Sequence, residues 1–425
     1  MNNKLLINDR IQTILFSVIA FYILALPLIL LDYNNGRAFS DQINFHLPTI
    51  IYFTQQFDFS DYPSATTPGY HLLLAIAGKI FSLNEIFLKI ISSLFTAAFI
   101  GLISNMLYRN FGKFKTLLLL LPMIYSIYIF PAGVWLLPDN LAWLTVAGVL
   151  VLAMNSPPTK KQYIYVGFIF TAAMLVRQPN LWLAAAIWGS SLAYYFFEKK
   201  NLAKKISIVV QSILVTVPAF VLFYMFYHMW GGLVPPSFQI AHEHISLSVP
   251  AFFFAAFFVY SIFFFPIFFG SIKHLKIENK YRWIMFGLVL GFVVSILPDT
   301  SYSVESGRSS GLWNFVKLAP SYLNKSSLIV VLSTLGGGMY FAMMLLIKKD
   351  IRFIMMLSTL AFMVALIPNA FVYERYFAGY IFIVIYLVLS QSTVQRWNVS
   401  SGMVWVSPII FSLLNLFIMI SGLLR

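Results

Sequence analysis

Apolar residues run in long blocks from one end of the chain to the other, and short polar interruptions, many of them basic, separate the blocks. A run of about 18 or more apolar residues is the mark of a membrane-crossing α-helix. A membrane barrel would instead alternate apolar and polar positions in segments of about ten residues, a pattern this sequence lacks. The blocks predict helices at about 11–31, 85–108, 116–131, 140–154, 162–176, 180–197, 206–228, 249–272, 283–298, 327–347, 353–368, 376–393 and 402–423. The expected fold is therefore an all-α polytopic membrane protein of about 13 transmembrane helices. One membrane domain, 1–425, accounts for the whole chain.

The interruptions are unequal. Segments 32–84, 229–248 and 299–326 are long, and the others are short. In the first, YPSATTPGYH (62–71) carries the prolines and glycine that break a helix. LLLAIAGKIF (72–81) is too short to span and reads as an interfacial helix lying on the membrane.

Charge then orients the chain. Of 28 Lys and Arg, 19 fall at Lys4, Arg10 and in the clusters RNFGKFK (109–115), PPTKKQ (157–162), EKKNLAKK (198–205), KHLKIENKYR (273–282), KKDIR (348–352) and QRW (395–397). Basic residues favour the cytoplasmic side, so the N-terminus is expected inside and the long loops outside. Ten of the 14 acids fall on or near the outer side: Asp32, Asp41, Asp58, Asp61, Glu85, Asp139, Glu243, Asp299, Glu305 and Glu374. Acids carry little topological information, so this clustering asks for a functional account. The first helix reads as uncleaved, with no small-residue cleavage site after it.

Only 10% of residues are charged, against about 25% in a soluble domain. The net charge of +14 therefore reflects membrane topology and not nucleic-acid binding. With no Cys, disulfides, thiolate nucleophiles and thiolate metal sites are excluded. Walker-type loops, GxGxxG and the nucleophile elbow are also missing. An enzyme of this kind would take its activated group from elsewhere, and a lipid-phosphate carrier dissolved in the bilayer fits.

The candidate chemistry lies at the outer helix ends. In FSDQINFH (39–46), Asp41 is a candidate general base with Asn44 and His46 beside it; it also reads as a solvated loop acid. In VWLLPDN (134–140), Asp139 is either a helix-start residue or a second outward acid. LVRQPNLW (175–182) sets Arg177, Gln178 and Asn180 at a turn between apolar spans. A charge there needs a partner, and the arginine fork suits phosphate, so ligand binding and a structural Arg–acid pair both stand. IAHEHIS (240–246) brings His242, Glu243 and His244 together without the H-E-x-x-H spacing of a helical metal site. Substrate hydrogen bonding and an ordinary polar loop are its other readings. SVESGRSS (303–310) carries Glu305 and Arg308, and FVYERYFAGY (371–380) carries Glu374, Arg375 and Tyr376. These arginines could meet an anionic headgroup or serve as interfacial anchors.

Taken in order, these pieces resemble the polyprenyl-phosphate-sugar-dependent glycosyltransferases of the GT-C type. The resemblance is greatest to the dolichyl-phosphate-glucose α-1,2-glucosyltransferase family of N-glycan precursor assembly. The family's D-E-I-F-H-like motif corresponds to Asp41-Gln42-Ile43-Asn44-Phe45-His46. Its T-T-x-P-G element corresponds to Thr66-Thr67-Pro68-Gly69-Tyr70, and its R-Q-T-N-I-x-W motif to Arg177-Gln178-Pro179-Asn180-Leu181-Trp182. Its H-E pair falls on His242-Glu243, and its E-x-R-Y-F-like element on Glu374-Arg375-Tyr376-Phe377. The matches extend over about 30–390. Gln42 stands where the family pairs acids, and Ser237-Phe238-Gln239-Ile240-Ala241 lacks the Asp and basic residue that precede the family's H-E. The D-N-R-H-Y element is echoed only by Glu305-Ser306-Gly307-Arg308. These departures point to a distant, prokaryotic member with a different acceptor.

The resemblance implies inverting hexose transfer, of glucose in the nearest family, on the outer face of the plasma membrane. The donor is a polyprenyl-phosphate-sugar, and the acceptor is a hydroxyl of a lipid-linked or envelope glycan. Asp41 is the implied base. The implied substrate contacts are His46, Asp139, Arg177, Gln178, Asn180, His242, Glu243, Arg308, Glu374, Arg375 and Tyr376. No metal ligand set is implied, and no motif supports the divalent cation that separate outer carboxylates could share. The rival class is a lipid or glycan transporter, which tends to carry ionisable residues at the bilayer midplane in two related halves; a noncatalytic scaffold is a third.

Overall fold

In the computed structural model the described residues are 3–154, 159–198, 201–242, 244–274, 279–392 and 403–423. The chain divides into two compact units, Met1–Ile240 with Phe411–Arg425, and Ala241–Ile410.

The first unit contains α1 (Asn3–Leu30), α2 (Arg37–Asp41), α3 (Leu47–Gln55), α4 (Gly69–Ile80), α5 (Glu85–Ile124), α6 (Ile129–Val134), α7 (Asp139–Ala153), α8 (Lys160–Val176), α9 (Ala184–Phe197), α10 (Leu202–Leu214) and α11 (Val217–Trp230). After the short α12 (Gln239–His242), the second unit contains α13 (Val249–Ser261), α14 (Phe265–His274), α15 (Lys280–Ile296) and α16 (Trp313–Val316). A small hairpin follows, β1 (Ser321–Tyr322) and β2 (Lys325–Ser326), and then α17 (Ser327–Met344), α18 (Lys349–Leu366) and α19 (Arg375–Gln391); α20 (Met403–Leu423) returns to the first unit from Phe411 onward. Helix covers each apolar block that the sequence predicts. Among the described residues, six helical stretches are long and apolar enough to cross a membrane: Ile7–Leu30, Glu85–Ile124, Leu202–Trp230, Val249–Phe269, Ser327–Met344 and Val404–Gly422.

Several boundaries differ from expectation: the block expected at 206–228 divides into α10 and α11, and that at 249–272 into α13 and α14 with a 3-10 turn between them. A straight helix of the 40 residues Glu85–Ile124 would be about 60 Å long, twice the hydrocarbon thickness. It is not straight. Gly112 has φ +68° and ψ −173°, a conformation that glycine adopts without steric cost. Before it, the contacts with α1 run antiparallel, through Ser17–Ser104 (3.2 Å) and Tyr22–Ser93 (3.0 Å). After it they run parallel, through Lys113 to Gln12 (2.9 Å) and the Tyr125 hydroxyl to the Ala20 carbonyl (3.1 Å). The chain therefore reverses at Gly112, and the basic cluster RNFGKFK is a turn and not a loop. The block expected at 116–131 is likewise interrupted: α5 ends at Ile124 and α6 starts at Ile129.

A buried apolar cluster forms where the early loop meets the bundle. Ile50, Phe53, Tyr62, Tyr70 and Leu74 of the loop pack with Leu88, Leu136, Leu141, Val176 and Trp230. The 12-residue α4 buries Tyr70, His71, Leu74, Ala75 and Gly78 and exposes Leu73, Ile76 and Ile80. That two-faced character agrees with an interfacial helix.

Candidate functional site

The first loop is held by a buried chain of polar contacts. α2 ends at Asp41 and passes directly into a single π-turn, Gln42–His46, and then into α3. Such turns are rare and often occur at functional sites. This one buries Gln42 and His46 while leaving Ile43, Asn44 and Phe45 exposed. Gln42 donates its Nε2 to Glu85 Oε1 (2.5 Å) and accepts the backbone N–H of Leu136 at Oε1 (2.9 Å). Glu85 pairs with Lys89 (2.8 Å), one helical turn on, and Lys89 pairs with Asp32 beyond the end of α1 (2.7 Å). Lys89 is 1% exposed, and an ammonium at that depth requires its counter-charges. Gln42 thus fastens the π-turn to α5 and to the approach to α7. Asp41, one residue earlier, is half-buried.

His46 meets a second histidine. Its Nδ1 lies 3.0 Å from His71 Nε2, with the rings stacked at 5.2 Å. His71 is fully buried and its Nδ1 has no hydrogen-bond partner. Burial pushes its pKa down to about 3, so the folded protein holds it neutral. The unfolded imidazole titrates near 6.5. Between about pH 3 and 6.5 the unfolded chain binds a proton that the folded chain does not, so stability falls as pH is lowered. The expected slope approaches about 1.4 kcal/mol per pH unit near pH 5. Thermal unfolding of wild type and His71→Gln between pH 4 and 7.5 should show a shallower slope in the variant; equal slopes would reject this role for His71.

The Thr66–Tyr70 and Arg177–Trp182 motifs are joined directly. The Thr67 backbone N–H donates to Gln178 Oε1 (3.2 Å), and its hydroxyl donates to the Met174 carbonyl (2.7 Å). Gln178 Nε2 donates to the Ala65 carbonyl (2.8 Å). Pro179 lies in a 3-10 turn, Gln178–Leu183, which Asn180 closes by donating to the Ala173 carbonyl (3.0 Å). Pro68 caps α4, and Gly69 then comes so close to α8 that an added Cβ would lie 2.6 Å from the Leu175 carbonyl oxygen. Gly69→Ala should therefore force the two segments apart and cost about 1–3 kcal/mol, read as a lower melting temperature in detergent. An unchanged melting temperature would show that the seam is loose.

Asp139 and Arg177 form an ion pair, Oδ1 to Nη2 at 3.0 Å, with side chains only 3% and 15% exposed. Asp139 starts α7 and Arg177 follows α8. Asn140, the next residue, donates to Thr96 Oγ1 (2.7 Å) and to the Ile129 carbonyl (2.8 Å). The Arg–acid pair, one of the two readings of Arg177, is therefore formed.

The remaining candidates lie in the second unit and are themselves gathered. The Ala370 N–H donates to the His242 carbonyl (3.0 Å), and the His242 ring packs on Phe371 at 5.1 Å. The Val372 N–H donates to the Gly307 carbonyl (3.2 Å), and Trp313 Nε1 to the Val372 carbonyl (2.7 Å). Glu374 accepts the Tyr260 hydroxyl (2.8 Å) and the Leu312 N–H (2.9 Å). Arg308 donates Nε to the Ser301 carbonyl (2.8 Å). Burial lowers the pKa of both His242 and Arg308. Arg375 and Tyr376 open α19, with Tyr376 beside Tyr373 at 5.9 Å. Glu243 lies outside the described residues. Among the described residues, no group of three or more His, Asp and Glu is placed to hold a metal ion.

Sequence reasoning missed three residues of the first cluster: His71, Glu85 as a partner of Gln42, and Lys89. Lys89 had a visible signal, as a lone cation one turn after Glu85 in an otherwise apolar block.

The class that these observations define is a polytopic, all-helical integral membrane protein with its polar residues collected at helix ends. No family model matches the sequence, and no curated protein matches it. Among solved structures, the chain aligns with ArnT from Cupriavidus metallidurans in the apo state at 13% identity and a TM-score of 0.38. It also aligns with ArnT from the same organism bound to undecaprenyl phosphate, at 11% identity and a TM-score of 0.41. Each alignment covers 88% of this chain and 77% of the other.

Proposed function

We propose that the protein is a membrane glycosyltransferase that moves a hexose, glucose in the nearest reading, from a polyprenyl-phosphate-sugar to a hydroxyl of a lipid-linked or envelope glycan. One observation carries the reading. Segments far apart in sequence, Asp41–His46, Thr66–His71, Leu136–Asp139 and Arg177–Trp182, are linked by direct hydrogen bonds and an ion pair within one unit.

In this mechanism Asp41 takes the proton of the acceptor hydroxyl. The oxygen attacks the anomeric carbon from the face opposite the phosphate, the anomeric C–O bond breaks, and polyprenyl phosphate leaves with the electron pair. The configuration inverts. Arginine stabilises the charge that develops on the phosphate, an electrostatic contribution that is usually large. Arg177, Arg308 and Arg375 are the candidates for that task. Gln42 is a fastening residue and not a second acid. The reaction belongs to the outer face of the membrane, with the N-terminus inside.

The test uses purified protein in lipid with radiolabelled polyprenyl-phosphate-glucose and a cell-envelope lipid extract. Donor-dependent label on a new product, formed by wild type and not by Asp41→Asn, supports the reading. If glucose fails, donors carrying mannose, galactose and an aminosugar follow. Failure across that panel overturns the transferase reading in favour of a transporter.

A further inference from the structure

The segment between α15 and α17 carries a feature that sugar transfer does not use. The β1–β2 hairpin is tied to the end of α15. The N–H groups of Thr300 and Ser301 donate to the Asn324 carbonyl (2.9 and 3.0 Å), and the Ser326 N–H donates to Thr300 Oγ1 (3.1 Å). Lys325 reaches back to the Leu297 carbonyl (3.2 Å) and to Asp299 (3.0 Å). β2 runs without a break into α17, a candidate membrane span. These ties hold the hairpin at the level where α15 ends and α17 begins, the boundary of the bilayer.

At that level the hairpin presents apolar side chains with almost no protein cover. Leu318 is 82% exposed, Tyr322 72% and Leu323 93%. Leu323 and Asn324 form the tip with φ of +50° and +60°. Glycine or asparagine is the favoured occupant of such positions, so a bulky leucine there carries a conformational cost without a packing contact that offsets it. Lys317 and Lys325 flank the apolar group.

We propose that this hairpin, through Leu318, Tyr322 and Leu323, inserts into the boundary between headgroups and acyl chains of the bilayer leaflet at which α17 begins. The aliphatic side chains bury in the acyl region, Tyr322 occupies the aromatic-rich interface, and Lys317 meets lipid phosphates. The partner is a phospholipid surface. A second protein is the competing occupant.

The protein has no Cys, so a single introduced thiol reports without background. Leu323→Cys and Leu318→Cys, each labelled with a polarity-sensitive fluorophore, are placed in vesicles of phosphatidylethanolamine and phosphatidylglycerol at a ratio of about 3:1, an anionic surface of the kind such segments bind. Glu305→Cys, in the same loop, is the control. Insertion predicts a blue-shifted emission at 318 and 323, with quenching by doxyl-labelled lipid several-fold stronger, and by iodide several-fold weaker, than at 305. Dominant iodide quenching at both sites would put the hairpin in water and overturn the proposal. Protection from both quenchers would mean that protein covers it, and would also overturn the proposal. A monodisperse profile for each labelled variant guards against misfolding, and two independent label sites keep the test decisive. The readout is independent of sugar transfer.

Discussion

Asp41→Asn is expected to lower polyprenyl-phosphate-sugar-dependent transfer by about 10²–10⁴-fold, the range that general-base catalysis supplies, while the protein keeps its thermal stability. The substitution preserves shape and removes only the capacity to take a proton. Asp41 is half-buried at the end of α2, and its neighbour Gln42 anchors the π-turn through Glu85 and Leu136. Loss of the Asp41 carboxylate should therefore leave the π-turn in place. The check is a single-turnover rate measured beside a melting curve, with Gln42→Ala as the contrasting variant. Gln42→Ala should lower the melting temperature, because it leaves the Leu136 N–H and a Glu85 oxygen without this partner. Normal transfer by Asp41→Asn would eliminate Asp41 as the base.

Arg177→Met should destabilise the protein by about 3–5 kcal/mol, the usual consequence of stranding one member of a buried ion pair. Asp139 is 3% exposed on its side chain and would be left charged at a helix start. Asp139→Asn combined with Arg177→Met removes both charges and should recover much of that loss, since replacing a whole buried pair is often neutral. Melting temperatures of the two single variants and the double variant form the cycle. Additive losses would mean that the pair is not coupled. Recovered stability without recovered transfer would assign the pair a role with substrate as well as with the fold.

The positions of the helices were legible because apolar blocks report burial in lipid or protein directly. The breaks were less so. Gly112 reads as one residue of a basic loop, and only its positive φ makes it the whole turn. The π-turn at Gln42–His46 has no periodic signature, because a single i→i+5 turn leaves the surrounding helical pattern intact. Chemistry was legible by residue type and not by partner. Arg177 announced that it needed an acid, and Asp139 announced itself as an outer acid, but their meeting is a fact of tertiary structure. His71 ends the Tyr62–His71 stretch that drew attention for its prolines and glycine, and its place beside His46 depends on how α4 docks. Gln178 and Asn180 looked like ligands because polar amides are rare among apolar spans. Gln178 also serves the Thr67 N–H and the Ala65 carbonyl, and Asn180 adds a second bond to the Ala173 carbonyl, which already accepts the Arg177 N–H.

The reversal at Gly112 bears on how the protein meets bilayers of different thickness. Two antiparallel helical segments joined by one residue have no slack, so neither can slide along the membrane normal without carrying the other. Both are also tied to α1, by Ser17–Ser104 on one side and Tyr125–Ala20 on the other. A thinner or thicker hydrocarbon layer is met by helices through tilting or by deforming the lipid. Here the three segments must tilt as one body, and the lipid at their edge takes up whatever mismatch remains.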